Sequence, residues 1–189
     1  EPSSVSAQSA VLYEPFSGRI LFQKDAHTPR PMASTTKLMT ALIAAESVPF
    51  DRDVHITEEA VRVEGSSMGL RAGDWISMGD LVTGLLLESG NDAANAIALT
   101  VAGSLPDAER MNAKAKELGM MDSCFVSPSG LDGNGHSSSA YDMALLGAEV
   151  LRHPELAAIC AMKSARIQLG APKHEATMSN HNRLLSLYP

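Results

Sequence analysis

Two short stretches hold side chains whose types and spacing could do chemistry without a cofactor. Ser34-Thr35-Thr36-Lys37 places a hydroxyl and an amine three residues apart, which on a helix puts both on one face about one turn from each other. A helix N-terminus favours negative charge developing on Ser34. The same field, together with burial, disfavours an ammonium on Lys37. Neutral Lys37 could then take the Ser34 proton and create a nucleophile with neither His nor Asp. The plain structural alternative is a Ser34 helix cap with Lys37 solvated, and chance alone supplies roughly one Ser-x-x-Lys in such a chain. Ser89-Gly90-Asn91 is the second stretch. There a break between helices could aim a hydroxyl that relays a proton and a carboxamide that holds a substrate amide. Its plain alternative is a Gly stop followed by Asn91 or Asp92 as the next helix cap.

Other chemistries fit less well. His27, His55, His136, His153 and His181 have no His four positions away, and Met178 stands where the zinc-helix partner of His174-Glu175 would be. No metal or other cofactor is expected. Gly130, Gly133 and Gly135 have the reverse of the dinucleotide spacing, and neither a Walker-type Gly-Lys-Ser/Thr nor a Gly-x-Ser-x-Gly elbow occurs. With Lys+Arg 15 against Asp+Glu 22, the formal charge is −7, which argues against nucleic acid as a partner. The apolar stretch 38–45 is too short to span a bilayer. Cys124 and Cys160 are too few for a disulfide scaffold or a four-cysteine zinc site. Apolar neighbours favour free core thiols over one disulfide.

These stretches must be positioned by an ordinary globular domain: 189 residues, 44% hydrophobic and 20% charged. Residues 9–13 and 19–23 read as strands around the Pro- and Gly-bearing loop 14–18. A helix is expected from near Ser34 to about Glu46, through Leu38, Leu42 and Ala45 at helical spacing. Short extended pieces follow at 53–56 and 74–77. Further helices are expected from an Asp80 cap to Glu88, from Asn91 to Val101, and from Asp107 to Leu118, ended by Gly119. Residues 127–138 read as a Gly-rich loop. Ser139 caps a helix to about His153, a short helix covers 155–161, and strand-like pieces lie near 164–169 and 176–180. The class is α+β, an antiparallel sheet with helices packed on it. Two N-terminal strands and a weak C-terminal piece make a thin sheet.

The text around the two stretches resembles a known family. Pro31-Met32-Ala33-Ser34-Thr35-Thr36-Lys37-Leu38-Met39-Thr40-Ala41-Leu42 is similar to the nucleophile helix of low-molecular-mass penicillin-binding proteins, in particular the serine-type D-alanyl-D-alanine carboxypeptidases. Leu85 to Ala96, Ser127-Pro128-Ser129-Gly130-Leu131-Asp132, Ser138 to Ala144 and the Ala10-Val11-Leu12-Tyr13 opening follow the same pattern. The resemblance covers essentially the whole of residues 1–189. It implies a penicillin-binding/β-lactamase-like transpeptidase fold, with a helical subdomain at roughly 50–160. It also implies that Ser34 attacks the D-Ala-D-Ala bond of a peptidoglycan stem peptide and that Lys37 is the base. Ser89 passes a proton to the leaving amine, Asn91 orients the substrate amide, and the Ser34 N–H forms half of an oxyanion hole. β-Lactam antibiotics would react as covalent inhibitors.

The family's third motif, Lys-Thr/Ser-Gly on a closing strand, has no counterpart among Lys24, Lys37, Lys114, Lys116, Lys163 and Lys173. The final residues 182–189 resemble the text shortly before that motif. The expectation is therefore a catalytic domain whose C-terminal strands are missing from this chain, with a C-terminal fragment of the same protein as partner and little carboxypeptidase activity in the chain alone. A class A β-lactamase would share Ser34 and Lys37 but carry Ser-Asp-Asn and Glu-x-x-Leu-Asn. Here position 90 is Gly and the latter motif is absent. A D,D-endopeptidase and a non-catalytic peptidoglycan-binding fragment stay open. The substrate places the protein outside the cytoplasmic membrane. Family members often carry a C-terminal membrane anchor, and the Glu1 start without Met fits a mature chain whose leader was removed and equally a chain trimmed for another reason.

Overall fold

The computed structural model describes residues 5–105, 108–131 and 133–187. Asp107, the expected start of a helix, and Asp132 of the resemblance lie outside the described residues. At the centre is α1 (Lys37–Ser47), in which Met39, Ala41, Leu42, Ile43 and Ala44 are all buried. A helix apolar on nearly every side belongs inside a domain. It contacts α3 (Met78–Leu87), α4 (Asn91–Ala102), α5 (Ala108–Glu117), α6 (Ala140–Arg152) and α7 (Pro154–Ala161). The Ala-rich face of α4, with Ala93, Ala94, Ala96 and Ala98 buried, lets that helix approach α1 and α3 closely. Short helices α2 (Glu58–Val61) and α8 (Leu184–Leu187) complete the helical set among the described residues.

The strands form three separate antiparallel pairs among the described residues. They are β1 (Ala10–Glu14) with β2 (Arg19–Lys24), β3 (Asp53–His55) with β4 (Trp75–Ser77), and β5 (Ser164–Leu169) with β6 (His174–Ser179). The α+β class is borne out, whereas the expected single sheet is not: no ladder joins the N-terminal pair to the C-terminal one. Each pair is made stable by helices instead, since a bare hairpin is marginal in water. α6 covers β1, with Tyr13 and Tyr141 edge to face at 6.0 Å. α3 covers β5 and β6, where Ile167, Leu169 and Met178 are buried.

Local signals mostly read true, with three corrections. The cap of α3 is Ser77, whose hydroxyl accepts the Asp80 N–H at 3.0 Å, so the helix begins before the expected Asp80 cap. Ser139 caps α6 as expected, accepting from Asp142 N–H at 3.1 Å. The cap of α4 is Gly90, and neither Asn91 nor Asp92 serves as one. Both cysteines are free thiols, but Cys124 is exposed and is not a core residue. Cys160 is half-buried against the core, and burial raises its pKa.

Candidate active site

Ser34 lies in a 3-10 turn, Ala33–Thr36, that leads directly into α1. It does not cap the helix: neither the turn nor α1 has a side-chain cap. Ser34 is exposed, whereas Lys37 at the first position of α1 is buried at 2% exposure. The Lys37 Nζ lies 3.1 Å from Ser34 Oγ and 2.8 Å from the carbonyl oxygen of Ser129. Burial pulls the Lys37 pKa down from 10.5 to about 8, against an opposing pull from the Asp92 charge. The neutral fraction near neutral pH is therefore far above that of an ordinary lysine, with the amine's lone pair in reach of the Ser34 hydroxyl. The solvated-Lys37 alternative is overturned by this burial.

The turn is pinned by the loop at 127–131. Thr40 Oγ1 donates to the Pro128 carbonyl at 2.6 Å, next to the Lys37–Ser129 contact. Ala33 has φ +45, a left-handed conformation that costs a non-glycine residue about 1 kcal/mol or more. Its carbonyl accepts from Thr36 Oγ1 at 2.7 Å. A Cβ on Gly130, itself at φ +84, would stand 1.9 Å from that same carbonyl, so only glycine admits the loop this close to the nucleophile turn. His136, buried, contributes from the far end of the loop. Its Nδ1 accepts the Val126 N–H at 2.9 Å, so its Nε2 carries the proton and donates to Thr36 Oγ1 at 2.7 Å.

Ser89 and Asn91 occupy the break between α3 and α4. Ser89 has φ +57, again left-handed. Asn91 is buried, its N–H donates to the Ser66 carbonyl at 2.8 Å, and its Nδ2 donates to the Glu64 carbonyl at 2.6 Å. The structure thus brings Ser34 and Lys37 into direct contact. It places Ser89 and Asn91 at the start of α4, which packs on α1. Among the described residues, no hydrogen bond joins Ser89 or Asn91 to Ser34 or Lys37. Sequence reasoning missed the Ser129 carbonyl, Gly130, Thr36, His136 and Asp92. The available signal was the Ser129-Gly130 step inside a loop that the resemblance already covered, since a glycine next to a motif often marks close backbone approach.

An exposed serine in contact with a buried lysine of lowered pKa, with a Ser-Gly-Asn turn on a neighbouring helix, is an arrangement able to support serine acyl transfer. The chain belongs to the D-alanyl-D-alanine carboxypeptidase family, peptidase family S11, whose match spans residues 1–189. It is 34% identical to D-alanyl-D-alanine carboxypeptidase DacF of Bacillus subtilis, covering 97% of this chain and 48% of that protein. It is also 34% identical to DacB2 of Mycobacterium tuberculosis, over 97% of this chain and 63% of the relative. The chain therefore spans about half to under two thirds of the length of these curated relatives. Among solved structures, a D-alanyl-D-alanine carboxypeptidase from Mycobacterium tuberculosis superposes with a TM-score of 0.91 at 33% identity, over 97% of this chain and 69% of that one. A mutant of the Streptomyces K15 DD-transpeptidase superposes with a TM-score of 0.90 at 26% identity, over 98% and 78%. The fold is thus the penicillin-binding, DD-peptidase fold expected from the sequence.

Proposed function

We propose that the protein is a serine-type D-alanyl-D-alanine carboxypeptidase that removes the terminal D-Ala from peptidoglycan stem peptides. The observation that carries this reading is the 3.1 Å approach of the buried Lys37 amine to the exposed Ser34 hydroxyl, in a chain of this family. Lys37 takes the Ser34 proton as Oγ bonds to the carbonyl carbon of the penultimate D-Ala. The proton reaches the leaving amine through Ser89 as the C–N bond breaks. Asn91 keeps one amide N–H on Glu64 and orients the substrate peptide with the rest of its carboxamide. The Ser34 N–H supplies one oxyanion donor. Water then hydrolyses the acyl-enzyme on Ser34. A β-lactam enters the same path and leaves slowly.

On this reading the helices and small hairpin of about 50–160 wall one side of the cleft. The substrate carboxylate and second oxyanion donor would fall to a Lys-Thr/Ser-Gly strand of the kind the family carries, a motif that residues 1–189 do not contain. Work on peptidoglycan places the protein outside the cytoplasmic membrane and in cell-wall maturation and cell shape. Among the described residues no helix is long and apolar enough to cross a membrane.

The test is intact-mass spectrometry before and after exposure to benzylpenicillin, followed by peptide mapping and assay of D-Ala release from a pentapeptide. A penicilloyl adduct on the Ser34 peptide and D-Ala release support the reading. An adduct on another residue, or none with the third-motif segment present, removes it. A β-lactamase would instead shed the adduct rapidly, and a non-catalytic binding fragment would show none.

A further inference from the structure

Asp92 is a carboxylate at 1% exposure in the first turn of α4, and the mechanism above gives it no task. Its oxygens accept five hydrogen bonds: from Ser67 Oγ at 2.6 Å and from the N–H groups of Met68, Gly69, Leu70 and Ala93 at 2.9 to 3.1 Å. Four of these donors belong to one stretch, residues 67–70. That stretch continues directly from Glu64 and Ser66, whose carbonyls hold the side chain and the backbone of Asn91. A buried carboxylate carrying this many donors is costly to disturb. The contacts form a closed cycle: Asp92 holds 67–70, 64–66 holds Asn91, and Asn91 is the residue before Asp92. Gly90 completes it, since a Cβ there would stand 2.8 Å from Asp92 Oδ1 and 3.1 Å from Met68 N.

We infer that Asp92 is a positioning residue for the acyl-transfer reaction, clamping residues 64–70 onto the start of α4 so that Asn91 is held for substrate. The inference rests on the proposed reaction for its consequence, but the clamp has a readout of its own. The groups that meet the Asp92 carboxylate are the Ser67 hydroxyl and the four backbone N–H donors, none of them ionisable. The charge that Asp92 acts on is Lys37, where its pull opposes that of burial. A base whose pKa lies near the working pH combines a useful neutral fraction with a useful proton affinity. Burial alone would carry Lys37 lower, where it would be a poorer proton acceptor.

The experiment compares the protein with Asp92→Asn and Ser67→Ala at full length. It measures the titration of the Lys37 side chain by NMR, hydrogen exchange of the Met68, Gly69 and Leu70 amides, and the pH dependence of benzylpenicillin acylation. In D92N the Lys37 midpoint moves to lower pH, the three amides lose protection, and acylation at its own optimum slows about tenfold or more through misplacement of Asn91. S67A removes one donor and keeps the charge. It is expected to fold, to exchange faster at Gly69 and Leu70 and to acylate a few-fold more slowly, with the Lys37 midpoint unchanged. A merely structural Asp92 would lower stability without moving the midpoint or slowing acylation at its optimum. The inference is overturned if D92N folds with parent-like amide exchange and acylation. Should D92N not fold, parent-like exchange and acylation in S67A overturn it equally. Lys37 titration and amide exchange that behave as expected in proteins that form no adduct would leave the clamp standing and remove the proposed reaction instead.

Discussion

The two serine-bearing turns of the site solve one problem in opposite ways. Both need a hydroxyl aimed into a cleft, and both use a left-handed non-glycine residue to do it: Ala33 at φ +45 before Ser34, and Ser89 itself at φ +57. In the first turn the strained residue precedes the functional one, and helical i to i+3 spacing brings the lysine alongside. The loop carrying Ser129 and Gly130 then closes over it. In the second turn the functional residue carries the strain, and nothing local holds its neighbour Asn91, whose partners lie at 64 and 66. The Ser34–Lys37 pairing is set along the chain and then braced by a distant loop, whereas the hold on Asn91 is set wholly across the chain. Substitutions near each should therefore fail differently, the first through chemistry and backbone collision, the second through loosened tertiary anchoring.

The largest expected effect is on the nucleophile side. Lys37→Met removes the base and should slow acylation of Ser34 by about a thousandfold or more. It should also raise stability near neutral pH, because a buried amine gives way to a side chain of similar volume. Thermal unfolding read beside adduct formation checks both signs, and a destabilised but reactive variant would refute the assignment of Lys37. Next in size is Gly130→Ala, which sets a Cβ 1.9 Å from the Ala33 carbonyl at φ +84. A loss of about 3 kcal/mol of stability is expected, with much slower acylation. Gly90→Ala probes the other turn. Its φ of −62 is open to any residue and its nearest contact, Asp92 Oδ1, is at 2.8 Å. A cost of about 1 to 2 kcal/mol follows. Equal costs for the two variants would dissolve the contrast between the turns.

The pH dependence sharpens the same contrast, since only the nucleophile side holds a titrating base in this mechanism. In the proposed reaction neutral Lys37 is the reactive form, and burial lowers its pKa to about 8. Acylation should therefore fall about tenfold per pH step well below 8 and level off above it. The linkage to stability runs in a definite direction. Folded Lys37 releases its proton near 8, whereas the unfolded chain holds it to 10.5, so the unfolded state binds more protons between these values. Stability from this residue thus rises with pH across that window, by about 3 kcal/mol for the whole span. Denaturant midpoints at pH 7 and pH 9.5 should show a rise in the parent protein that K37M lacks.

How far each turn was legible in the sequence follows from the same difference. Ser34 and Lys37 could be found because helical spacing is local, and α1 ran nearly where the apolar periodicity put it. Ser139 as a cap was equally local. The Asp92 clamp could not be read, because its donors at 67–70 lie more than twenty residues away and its five partners are four main-chain N–H groups and one small hydroxyl, which no residue type advertises. Asp92 therefore looked like a helix cap. His136 looked like one of several scattered histidines for the same reason, since its partners are a backbone N–H and a threonine one hundred residues away. The single expected sheet failed on strand pairing, which is set by tertiary contact. The family resemblance located Asn91, but the carbonyls that hold it emerged only from the fold.

The smallest effect on stability is also the cleanest separation of the two turns. Ala33→Gly and Ser89→Gly each relieve a left-handed conformation that glycine adopts without steric cost. Each gains something like 1 kcal/mol in the folded state and returns part of it through the greater freedom of the unfolded chain. Net stability should rise by a few tenths to about 1 kcal/mol in both, measurable as a small upward shift in denaturant midpoint. Activity should then split. Ala33→Gly keeps Ser34, Lys37 and the Ala33 carbonyl that anchors Thr36, so acylation should stay within a few-fold of the parent. Ser89→Gly removes the hydroxyl proposed to relay the proton and should lower acylation by about a hundredfold. Losses of the same size in both would mean that the strain itself, and not the hydroxyl, is what the second turn contributes.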